Sequence, residues 1–156
     1  MQLLKVSQSS PFLDALLERH EAWRALPILS REGDDWRGFA LAIPPPAGSR
    51  IAFPLDIEEV GGQVSIALDY CHVHVPWPAQ PASTVGRLWT DALTTIDAIL
   101  NEEIVALSGW IDGKVRVGSM HEADKPFRLP LSNLQHLRVR SWRGTLDRDE
   151  ELLPRN

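Results

Sequence analysis

Cysteine and tyrosine each occur once in this chain, as Cys71 and Tyr70, and no Lys or Arg falls between Ile51 and Gly86. One thiol cannot close an internal disulfide, so a covalently stapled scaffold is excluded, and a reducing compartment, with the cytoplasm as default, is expected. Long hydrophobic runs are missing. No stretch approaches the roughly 20 apolar residues of a membrane-spanning helix. The N-terminal MQLLKVSQSSPF has one Lys and no small-residue cleavage pattern, so neither a signal peptide nor a membrane partner is expected. The common enzyme signatures are absent as well: no GxSxG elbow, no Walker loop, no GxGxxG after a strand, and no Ser/His/Asp constellation. Glu58-Glu59 is an adjacent pair on a predicted strand, where neighbours point to opposite faces, so the two cannot act together as acid and base. No catalytic residue and no cofactor is expected from these patterns.

What is present is an ordinary globular composition, 44% hydrophobic and 24% charged over 156 residues. A chain of this size buries enough surface for one self-sufficient core, and residues 1–156 are expected to form a single α+β domain. The net charge of −5 conceals an asymmetry. Ile51 to Gly86 carries Asp56, Glu58, Glu59 and Asp69, and Arg87 to Gly113 sets one Arg against five acidic residues. Lys114 to Arg148 reverses the sign, with eight basic side chains against Glu122, Asp124 and Asp147. An acidic segment of this kind repels a phosphate backbone, which counts against a nucleic-acid partner.

In chain order, Ser10-Pro11 reads as an N-cap with proline at the first helical position. Phe12, Leu13, Leu16, Leu17, His20 and Trp23 follow at three- and four-residue spacing, predicting an amphipathic helix to about Arg24. Trp36 to Ile43 reads as a strand ended by Pro44-Pro45-Pro46. Arg50 to Val60 alternates, with Ile51, Phe53, Leu55 and Ile57 on one face, and Gly61-Gly62 supplies a two-residue hairpin turn. That turn sets Val60 opposite Gln63, Ile57 opposite Ile66 and Leu55 opposite Leu68. Val64, Ile66, Leu68 and Tyr70 then share the buried face, and the opposite face carries Asp56, Glu58, Ser65, Ala67 and Asp69.

Past Tyr70 the alternation changes phase. A β-bulge or a strand break there turns Cys71, Val73 and Val75 inward and brings His72 and His74 out beside Asp69, close to Asp56 and Glu58. Two histidines at i, i+2 with carboxylates nearby also offer a divalent-metal reading, with His121 or His136 as a third ligand. Cys71, flanked by aliphatics, reads as a small hydrophobe rather than a nucleophile.

A second helix is expected from Ser83 or Thr84 to about Asn101, its stripe being Val85, Leu88, Trp89, Ala92, Leu93, Ile96, Ile99 and Leu100. Ile104 to Ile111 and Lys114 to Met120 form a hairpin about Asp112-Gly113, with Trp110 opposite Val115 and Ser108 opposite Val117. The segment HEADKPFRLPLSN reads as loop. Leu134 to Arg143 is a last strand, with Leu137, Val139 and Ser141 inward and His136, Arg138, Arg140 and Trp142 outward. Arginines beside an exposed tryptophan fit a nucleic-acid contact or a protein hot spot. The tail from about Asp147 is expected to fray. The assembled expectation is two helices packed on one face of a mainly antiparallel sheet of five or six strands.

A compact acidic chain of this kind, with DYCHVHVPWP and VRSWRGTLDRDEE, resembles the immunity proteins of bacterial polymorphic-toxin and contact-dependent inhibition systems. The resemblance implies a cytoplasmic inhibitor that masks a cognate toxin domain, such as a basic nuclease, through an acidic patch. Asp56, Glu58, Asp69, His72 and His74 are its candidate contacts. Two rival readings stand beside it: a small metal-dependent enzyme built on His72, His74 and His121, and a nucleic-acid module using Arg138, Arg140 and Trp142.

Overall fold

The computed structural model describes residues 10–32, 37–77, 91–127, 129 and 133–152. Helix α1 spans Pro11–Arg19. Ser10 caps it, its Oγ accepting the Leu13 N–H at 2.9 Å, and the same hydroxyl donates to Glu59 Oε2 at 2.6 Å, tying the cap to the sheet. Phe12, Leu13, Leu16 and Leu17 are its buried face. The helix stops five residues short of the expected end. His20 leaves helical geometry (φ −127°, ψ 69°) and a 3₁₀ turn, Glu21–Ala25, follows. Three residues per turn align positions i and i+3, and His20 and Trp23 stack accordingly with centroids 4.1 Å apart.

Five strands follow: β1 (Ile28–Glu32), β2 (Arg37–Ile43), β3 (Leu55–Val60), β4 (Gln63–Leu68) and β5 (Cys71–Val75). They pair antiparallel in chain order, β1-β2-β3-β4-β5. The β3–β4 register has the expected pairs, Val60 with Gln63 and Ile57 with Ile66, around Gly61 and Gly62, both at positive φ. Phe53 does not join the inward row. Strand β3 begins only at Leu55, after Pro54, and Phe53 stays 47% exposed.

The phase change after Tyr70 is a strand break and not a bulge. Leu68 pairs with Cys71, so Asp69 and Tyr70 form the two-residue tip of a hairpin, with Asp69 at φ 53°. The reversal accounts for the hydrophobic pattern. Cys71 and Val75 are buried on the inner face with Val64, Ile66 and Leu68, while His72 and His74 are exposed.

Helix α2, Ala92–Leu100, is capped by Asp91, whose Oδ1 accepts the Thr94 N–H at 2.8 Å. Asp91 is therefore a cap in extended geometry rather than part of the helix's polar face. The start expected at Ser83 or Thr84, and the stripe from Val85 to Trp89, lie outside the described residues.

The remaining strands are β6 (Ile104–Ile111), β7 (Lys114–Glu122), β8 (His136–Arg140) and β9 (Arg148–Glu151), ordered β7-β6-β8-β9 in a second sheet. The chain is thus α+β, with two antiparallel sheets of five and four strands among the described residues, where one sheet of five or six was expected. Trp110 faces Val115 as anticipated, but an irregularity between Gly109 and Trp110 places Ser108 opposite Gly118 instead of Val117. His121 and Glu122, expected in a loop, close β7. The supposedly frayed tail supplies β9, which pairs with β8 through Arg138 and Asp149.

One core joins the two sheets. Phe12 and Leu16 of α1, Phe39, Leu41, Leu55, Ile57 and Ile66 of the first sheet, and Ile96 and Ile99 of α2 are buried together with Ile104, Ala106, Met120 and Trp142. A smaller cluster, Val105, Leu107, Leu137 and Val139, lies on the other side of β6. Where the sheets meet, Gly118 of β7 passes so near the β4–β5 tip that a Cβ there would overlap the Tyr70 carbonyl.

Candidate docking face

The pairing registers define what the first sheet presents on the side away from the helices. One row across it reads Leu29, Ala40, Glu58, Ser65, His74; the next reads Ala42, Asp56, Ala67, His72. In β2 the reason is local. Phe39, Leu41 and Ile43 alternate with Gly38, Ala40 and Ala42, so the bulky residues enter the core and the small ones face out. Phe39 meets the α1 ring of Phe12 with centroids 5.8 Å apart, which fixes α1 on the inner side, and Ile96 and Ile99 bring α2 into the same core.

Small side chains leave a hollow. A groove of about 550 Å³ lies over β1, β2 and β3, floored by Leu29, Ala40 and Ala42, walled by Leu26, Pro27 and Pro44, and edged by Arg31, Asp56 and Glu58. Arg31 Nε sits 3.0 Å from Glu58 Oε1. Partial burial, and then the neighbouring Glu58 carboxylate, push the Asp56 carboxyl above the usual aspartate value. Beyond β4, the His72 and His74 rings meet edge to face at 5.4 Å.

Four of the five candidate contacts therefore share a face: Asp56 and Glu58 on β3, His72 and His74 two strands away on β5. Asp69 does not line the groove. At the hairpin tip its Oδ1 accepts the Ala52 N–H at 2.8 Å, pinning the loop before β3. Burial is the main influence raising its carboxyl. Glu59 faces the core side, bound to Ser10. Cys71 donates its thiol to the Leu68 carbonyl at 2.9 Å, and burial pushes it up to about 12, the behaviour of a core thiol.

The metal reading does not assemble. His121 is on β7, with Nδ1 2.9 Å from the Glu122 carbonyl and its ring edge-on to Phe127, and His136 is on β8 opposite Trp110. Both belong to the second sheet. Among the described residues no three His, Cys, Asp or Glu side chains gather as a metal site.

The basic face imagined on β8 is also corrected. Trp142 is buried in the main core, and Arg140 is only 6% exposed. The reason is β9. Arg140 Nη2 pairs with Asp149 Oδ1 at 2.7 Å and Nη1 donates to the Val139 and Arg148 carbonyls. Arg138 lies over the Trp110 ring, 3.9 Å from its centroid. These side chains are consumed in holding the fold rather than arrayed for a ligand.

Sequence reasoning missed the groove because β1 was not recognised, and because alanines carry no chemical signature. The available signal was the large–small alternation of Phe39 to Ile43. Comparison with protein-family models, with curated proteins and with solved structures finds no match to this chain.

Proposed function

We propose that the protein is a protein-binding inhibitor whose sheet face away from the helices docks a basic partner domain, the role of a cytoplasmic immunity protein toward a cognate toxin. The observation that carries this reading is the division of the first sheet. Its bulky residues and both helices lie on one side, and on the other a small-residue groove is edged by Asp56 and Glu58. An apolar hollow beside carboxylates favours a partner that brings apolar contact at the centre and positive charge at the margin. Charge of opposite sign speeds encounter and selects the partner, while the hollow supplies desolvated contact. His72 and His74 extend the same face by imidazoles able to donate or accept hydrogen bonds.

The test uses the protein domain encoded beside this chain's gene as the binding partner. Reversing both charges, Asp56→Lys with Glu58→Lys, is expected to weaken binding by about tenfold or more and to flatten its salt dependence. Titration calorimetry at two salt concentrations reads both. Unchanged affinity with an unchanged salt slope rejects the docking face.

A further inference from the structure

We infer that the groove is an anchor site for one arginine side chain of the partner, with the guanidinium forked between Asp56 and Glu58 and its stem laid over Ala40 and Ala42. This inference rests on the docking reading and narrows it to a single side-chain chemistry.

Three observations converge. First, the groove combines apolar walls with acidic residues at one edge only. That fits a group with an apolar stem and a cationic head, and long basic side chains are built that way. Second, Asp56 and Glu58 stand at i, i+2 on one face of β3, so their Cα atoms are about 7 Å apart. A guanidinium presents five donors in a flat fork and can address two carboxylates at once, whereas an ammonium acts as a point charge. The Ala40 and Ala42 floor admits a flat group without a protruding side chain in its way. Third, the protein already places one guanidinium here. Arg31 satisfies Glu58 from the β1 side, whereas the exposed Asp56 carboxylate has no side-chain hydrogen bond or ion pair among the described residues. Arg31 and Glu58 are both substantially exposed, with side chains 52% and 39% accessible, so their contact is readily exchanged for another. A neutral occupant would leave the Asp56 carboxylate further desolvated and unpaired, at a cost that a cation avoids.

The test is a titration of the isotopically labelled full chain, followed by amide chemical shifts. The probes are acetyl-arginine-N-methylamide, the lysine analogue, and the neutral isostere acetyl-citrulline-N-methylamide, at matched ionic strength. The arginine amide is expected to shift Ala40, Ala42 and Asp56, with an affinity about tenfold above that of citrulline. Asp56→Asn should reduce the arginine response to the citrulline level, and Arg31→Ala should strengthen it by freeing Glu58. A second variant, Ala42→Trp, fills the groove while leaving both carboxylates, and should remove the response even if Asp56→Asn disturbs the strand. Equal responses to arginine and citrulline overturn the inference, as do equal responses to arginine and lysine, or arginine shifts that ignore both substitutions. Should charge reversal abolish partner binding while the arginine amide fails to titrate the groove, the docking reading stands and the arginine anchor falls. The converse result separates them the other way.

Discussion

Glu102 shows how one residue ties distant segments together. It occupies positive φ, 61°, directly after α2, and its side chain is 6% exposed. Oε1 accepts the backbone N–H groups of Arg143 and Thr145 at 2.9 and 3.2 Å, and Oε2 accepts the Thr145 hydroxyl. Burial alone would raise this carboxyl, but hydrogen bonding by the Ser141 and Thr145 side chains and by the Arg143 and Thr145 backbone outweighs it and holds it below the ordinary value of 4.5. The sign of the linkage follows. A carboxylate depressed in the folded state contributes stability that is fully present above its unfolded value and is lost as pH falls through the folded one. Glu102→Gln is expected to cost about 1–3 kcal/mol at neutral pH. It should also reduce the loss of stability below about pH 4.5. Denaturant unfolding of both proteins across pH 3 to 7 checks the two effects together.

Among the elements, those legible in the sequence were the ones whose pattern and turn chemistry agree. Ser10-Pro11 opens α1, Gly61-Gly62 fixes a hairpin whose register follows, and Asp112-Gly113 sets a hairpin whose register follows as far as Trp110 and shifts beyond it. The rest was hidden for identifiable reasons. Strand β1 is five residues long and ends in Arg31-Glu32, too short for a period to declare itself. Strand β9 reads Arg-Asp-Glu-Glu, entirely charged and exposed, and exists through backbone pairing with β8 and the Arg140–Asp149 contact. The phase change at Tyr70 was visible, but local pattern does not distinguish an inserted residue from a reversal; the pairing of Leu68 with Cys71 decides it. Strand β7, paired along β6, can pass this close to the β4–β5 tip because residue 118 is glycine, set against the Tyr70 carbonyl. Gly118→Ala forces either β7 or the β4–β5 tip to move and should destabilise the protein by about 1–3 kcal/mol. Thermal unfolding measures this, and the shift changes of Ala40 and Ala42 amides should stay small, since the groove lies over β1 to β3.

For the whole molecule, the sheets contribute to one buried cluster but differ in how they are wired. The first sheet is a meander in which every strand pairs with its chain neighbour. In the second, β6 is central and β8 reaches it across the β7 excursion. The candidate face was legible only in part. Its charges, Asp56 and Glu58, announce themselves in the sequence, whereas the hollow between Leu29, Ala40 and Ala42 arises only once β1 has paired with β2. A fragment ending at Trp77 retains the entire meander and the groove, yet lacks Ile96, Ile99, Ile104, Met120 and Trp142 from the core. Such a fragment is expected to remain largely unfolded or to aggregate, which circular dichroism and analytical ultracentrifugation would reveal; a monomeric, cooperatively unfolding fragment would contradict it.

The meander has a further consequence for how the protein is made. Hairpin by hairpin, its strands can pair as they leave the ribosome, without waiting for distant sequence. Helix α1, made before the strands, can cover part of the apolar side of that nascent sheet, but the rest stays open until α2 and β6 have been synthesised. For that interval the chain presents two open surfaces at once, the groove and a partly covered oily underside. The alanine-lined, carboxylate-edged side is a poor template for sticking, so the hazard of premature association lies with the underside. Synthesis of the second half therefore does more than complete the fold: it decides which of the two surfaces remains open in the finished protein.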